Sequence, residues 1–174
     1  MKIIWTLICL IILGLTACTP SEQAADLSLA PFIPPSFTPA TRNRTLDYFR
    51  QYVSYMQEWG TEFEHIRDLS LRLSEEGLYL LDDEAFISEL SNALTDFQTA
   101  AKNVAELQPP STELQKFQDK AEELHEQSEI FANSYMLALA GDATALESFR
   151  AALNKVSGLF LEIRDEIENG NYIP

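Results

Sequence analysis

Residues 143–169, ATALESFRAALNKVSGLFLEIRDEIEN, place Leu146, Phe149, Leu153, Val156, Phe160, Ile163 and Ile167 at successive steps of 3, 4, 3, 4, 3 and 4. That spacing follows the 3.6-residue turn of an α-helix and lines one face with apolar side chains. A strand would alternate at every second residue, and no such alternation occurs elsewhere in the chain to compete with it. Asp142, or Thr144 with Glu147 three residues on, supplies oxygens to cap the start, and Asn169-Gly170 closes the end.

The same pattern recurs upstream. Phe86, Leu90, Ala93, Phe97, Ala100, Val104 and Leu107 form a second stripe, capped by Asp82 or Asp83 and stopped by Pro109-Pro110. Leu114, Phe117, Ala121, Leu124, Ser128, Phe131, Tyr135 and Ala138 form a third, which ends at Gly141. Thr112 with Gln115 three residues later predicts a capping box at its entry. A longer helix over about Arg44 to Ser74 carries Leu46, Phe49, Val53, Met56, Gly60 and Phe63, then Ile66, Leu69 and Leu73. Ser128 and Gly60 sit on these stripes as small residues, where they are expected to let helices approach closely. Connections of a few residues force consecutive helices to be antiparallel, so the reading is an all-α, up-and-down four-helix bundle over residues 41–174. The near-3.5 average implies shallow, coiled-coil-like crossings.

Composition narrows the partners. The chain has 27 Asp and Glu against 12 Lys and Arg, net −15. Phosphate neutralisation needs clustered cations, so nucleic acid is excluded as a partner, and an anionic lipid surface would repel the folded part. Two Glu-x-x-His pairs, Glu62 with His65 and Glu122 with His125, have the spacing that ferritin-like bundles use for metal. At about 100° per residue, both pairs point away from the apolar stripes, and the stripes Phe86 to Leu107 and Leu146 to Ile167 hold no carboxylate. The expectation is therefore no metal and no cofactor. No motif joins these histidines to a serine nucleophile, and no catalytic residue is assigned. A second aromatic stripe on the first helix, Tyr48, Tyr52, Tyr55 and Trp59, is the best candidate contact surface, because such rings anchor partners at low entropic cost. The reading favoured over a contact role for that stripe is a helix wedged between two neighbours, whose apolar arc must be wide.

The N-terminus has its own grammar. Met1-Lys2 opens a short basic start, and Ile3 to Leu15 is almost wholly apolar, the layout of a secretory signal. The run is shorter than the roughly 20 residues a membrane-spanning helix needs. Leu15-Thr16-Ala17-Cys18 resembles the lipobox of bacterial lipoproteins. That resemblance implies cleavage between Ala17 and Cys18, a diacylglycerol thioether on Cys18 with further acylation such as palmitate, and a lipid-anchored extracytoplasmic protein. The other cysteine, Cys9, lies in the discarded segment, so the mature domain would hold no disulfide or thiol site.

Thr19 and Pro20 follow Cys18, without the Asp that resembles an inner-membrane retention signal. The anchor is thus expected in the cell membrane, or in the outer membrane of a Gram-negative host. The parsing is signal peptide 1–17, lipidated cysteine and Pro-rich linker 18–40, and bundle 41–174. The linker holds Pro20, Pro31, Pro34, Pro35 and Pro39, a composition that favours extended chain. The bundle is also similar in general look to helical-bundle lipoproteins, a likeness that implies no particular activity. The functional expectation is a tethered, non-catalytic cell-envelope component that works through an envelope protein partner. Its alternatives are a bundle that senses a small ligand and, less favoured, a ferritin-like metal protein.

Overall fold

The computed structural model describes residues 39–169, with side chains from 43 to 167. Among the described residues every regular element is helical and none is a strand. Four long helices follow in order: α1 Pro39–Glu76, α2 Glu84–Ala105, α3 Gln115–Leu139 and α4 Ala143–Asn169. Short 3₁₀ turns at Leu78–Asp82 and Thr112–Leu114 precede α2 and α3.

Local chemistry explains most of the boundaries. α1 begins at Pro39, five residues ahead of the expected start, so the last two residues read as linker are helical. Proline suits a first turn, because its missing N–H would lack a partner there and its φ is already helical. Gly77 ends α1 at φ 110°, a left-handed conformation that glycine adopts without a Cβ penalty. Asp83 is the cap of α2: its Oδ1 accepts from the amides of Ala85 at 2.9 Å and Phe86 at 3.4 Å. Asp142 does the same for α4, accepting from Thr144 at 2.9 Å and Ala145 at 3.0 Å.

The expected capping box of α3 is absent. Thr112 opens a 3₁₀ turn instead, whose backbone bonds take up the first amides, Leu114 to Ser111 and Gln115 to Thr112. The Gln115 side chain donates forward to Asp119 at 3.1 Å.

Side-chain contacts reveal the topology. Along α1, Tyr52, Trp59, Phe63 and Ser70 meet Phe117, Ser128, Phe131 and Tyr135 of α3 in the same order, so these two helices are parallel. Trp59 meets Phe97 whereas Arg72, farther along α1, meets Glu89, so α1 and α2 are antiparallel. Lys116, Lys120 and Glu123 of α3 pair with Glu166, Glu162 and Lys155 of α4, again in reversed order. The molecule is an up-and-down four-helix bundle. Backbones pack closely between chain neighbours, and the wider span from α1 to α3 and α4 is filled by rings such as Trp59 stacked on Phe160 at 5.4 Å.

Candidate functional site

The aromatic stripe, the best candidate contact surface in the sequence, is instead part of the core, as the wedged-helix reading expects. Tyr52 is 0% exposed, Trp59 2% and Tyr48 4%, and Tyr55 is half-buried against the same cluster. The physical reason is the position of α1, which must bridge to α3 as well as to its chain neighbour α2, so its apolar arc has to be wide. Large rings supply the reach. Their polar tips are turned inward: the Trp59 indole donates to Ser128 Oγ at 3.2 Å, and the Tyr52 hydroxyl donates at 3.5 Å to the Phe117 carbonyl. Ser70 donates to the Ile66 carbonyl at 2.7 Å and receives the Tyr135 hydroxyl at 2.5 Å. Three polar links thus tie α1 to α3 inside the bundle.

These placements also change two smaller expectations. Ser128 is 0% exposed and has a further role, as the hydrogen-bond acceptor for Trp59. At Gly60 an added Cβ would meet nothing within 4 Å, so no neighbouring helix presses on it.

Burial marks the tyrosines. Desolvation pushes the Tyr48 and Tyr52 hydroxyls well above the usual tyrosine range. Tyr135 is raised to about 12 by burial, partly offset by its bond with Ser70. Among the described residues, the Tyr48 hydroxyl and Thr45 Oγ1 are buried without a hydrogen-bond partner.

The two Glu-x-x-His pairs lie on different helices with separate partners. His65 is exposed, with Nδ1 3.7 Å from Glu62 and Nε2 3.5 Å from Glu89 of α2. His125 is half-buried, so it points less far outward than its helix angle suggested, and its Nε2 lies 3.9 Å from Glu129. Glu122 accepts from Gln118 instead of facing His125 alone. Among the described residues no group of three or more His, Cys, Asp or Glu is arranged to hold a metal ion.

Exposed apolar side chains are the feature that periodicity did not single out. Tyr79 is 62% exposed, Leu137 55%, Leu161 46% and Ile130 38%. Ile130 and Leu137 are two turns apart on the outward face of α3, with exposed Asn133 between them. The signal was present, since neither residue falls on the third stripe, but a stripe-based reading passes over what lies off it.

Ala17, Cys18 and the linker up to residue 38 lie outside the described residues. Among the described residues no helix is long and apolar enough to cross a membrane. No family model, curated protein or solved structure matches this chain.

Proposed function

We propose that the chain is a lipid-anchored extracytoplasmic protein whose bundle is non-catalytic and acts through its outer surface on a cell-envelope protein. The observation that carries this reading is Leu15-Thr16-Ala17-Cys18 at the end of a short apolar run, followed by a Pro-rich stretch and then a folded bundle. Two or three acyl chains on Cys18 hold a protein at a membrane durably, where one chain holds it only marginally. The interior supports the same reading. Its aromatic side chains are packed on one another, and most of their polar tips are spent within the core, which leaves the outside for contacts.

The test is Cys18→Ala in the native host with a radiolabelled fatty acid. Wild-type protein should incorporate label, fractionate with membranes and shift in mass on processing; the variant should do none of these. Label and membrane association that persist in Cys18→Ala would refute the anchor.

A further inference from the structure

Charge in this bundle is segregated along its length. Residues 73–101 and 121–149 contain thirteen carboxylates, seven in the first stretch and six in the second, and no Lys or Arg. The first runs from the end of α1 into α2, and the second from α3 through the turn into α4. Together they build the half of the bundle farthest from Pro39. Arg67 and Arg72 of α1 and Arg150 and Lys155 of α4 also lie there, Arg67 already paired with Asp68, Arg72 with Glu76 and Glu89, and Lys155 with Glu123. The near half instead holds Lys116 and Lys120 in the ladder between α3 and α4.

Three of the four exposed large apolar residues lie in this acidic half, and the fourth, Leu161, is on α4 in the near half. Tyr79 stands in the 3₁₀ turn between α1 and α2, and Ile130 and Leu137 stand on the outward face of α3. Ile130, Asn133 and Leu137 are spaced by 3 and 4, the spacing of a seam that another helix can lie along. Glu122, Glu126 and Glu129 are exposed on the same part of α3.

We propose that the outward face of α3 around Ile130, Asn133 and Leu137 docks an amphipathic helix of a partner protein, whose apolar seam is flanked by Lys or Arg. This rests on the contact role argued above and names the partner's chemistry. Charge complementarity selects the occupant. A second copy packed through this same face would set carboxylates against carboxylates, because residues 121–149 hold no Lys or Arg. An anionic bilayer is repelled for the same reason. Like charges across an interface cost more than a seam of two apolar residues returns, whereas opposite charges speed encounter and fix register. The small apolar area implies a weak, reversible contact.

The test uses the full mature chain in detergent micelles and a fluorescent three-heptad peptide with a Leu seam flanked by Lys, read by anisotropy. Two sister peptides replace the Lys by Glu or the Leu by Ser. The Lys–Leu peptide should bind, and the Glu peptide should not. The Ser peptide should bind at least tenfold more weakly than its Leu parent. Ile130→Ser with Leu137→Ser should weaken the Lys–Leu peptide at least tenfold. Asn133→Arg, which removes no packing, should do so in a variant that melts like wild type.

Equal affinity of wild type and Asn133→Arg overturns the proposal, as does a Ser peptide that binds as tightly as the Leu one. Sedimentation that shows self-association abolished by the same substitutions overturns it in favour of a second copy. Peptide binding needs no lipid, so its failure is distinct from a failure of the Cys18→Ala experiment.

Discussion

At the scale of single residues, Trp59 and Gly60 are neighbours with opposite consequences. Trp59 contacts Phe63, Phe97 and Phe160 and donates its indole N–H to Ser128. A buried donor left unpaired costs about 1–3 kcal/mol, so the hydroxyl of Ser128 is what makes an indole tolerable there. Gly60 carries no such duty. It is helical, and an added Cβ would meet nothing within 4 Å. Glycine in a helix interior loses about 0.5–1 kcal/mol relative to alanine through backbone entropy. Gly60→Ala should therefore stabilise the protein by about that amount and raise Tm by a few degrees, measured by thermal unfolding followed by circular dichroism. A fall in Tm would mean that a helix presses on this position after all.

At the scale of elements, the hairpin of α3 and α4 is closed by a ladder of ions. Lys116 and Lys120 lie 2.9 and 3.0 Å from the two carboxylate oxygens of Glu166, and Lys120 also reaches Glu162 at 2.9 Å. Partial burial opposes ionisation of Glu166, but hydrogen bonds and charge from Lys116 and Lys120 outweigh it and hold its pKa below the usual 4.5. A depressed folded-state value means that the stabilisation is full above 4.5 and is lost as pH falls through the lower folded value. Glu166→Gln should cost about 0.5–1 kcal/mol at pH 7. The Tm difference from wild type should shrink to nothing as the pH is taken well below 4.5. A difference that persists in acid would assign the loss to packing and not to charge.

At the scale of the molecule, burial of Tyr48, Tyr52 and Tyr135 links the whole core to alkaline pH. Their pKa values are raised by desolvation above the ordinary 10.0, Tyr135 to about 12. The unfolded chain ionises these groups near 10, whereas the folded chain keeps them neutral. Stability is thus full below 10 and falls as pH rises toward the folded-state values. Part of the tyrosinate absorbance should therefore appear only together with loss of helical circular dichroism. If all of it developed with helicity intact, the three hydroxyls would not be enclosed as described.

What the amino-acid order alone determined is local in origin. The spacing of Leu146 to Ile167, the carboxylates of Asp83 and Asp142 and the glycines at 77 and 141 settle where helices run and stop, because turn geometry and capping depend on residues a few places apart. The four-helix bundle follows from those helices and their short connections. The proposal for Cys18 rests on adjacent residues alone. Tertiary structure decided which apolar residues remain in contact with water. Tyr48, Tyr52 and Trp59 look like an exposed anchor when α1 is drawn by itself, yet the distance from α1 to α3 requires rings of that size inside. Ile130 and Leu137 lie off the third stripe, and the packing of α3 against α2 and α4 leaves them uncovered. Burial depends on what stands opposite a side chain, and periodicity within one helix does not contain that information.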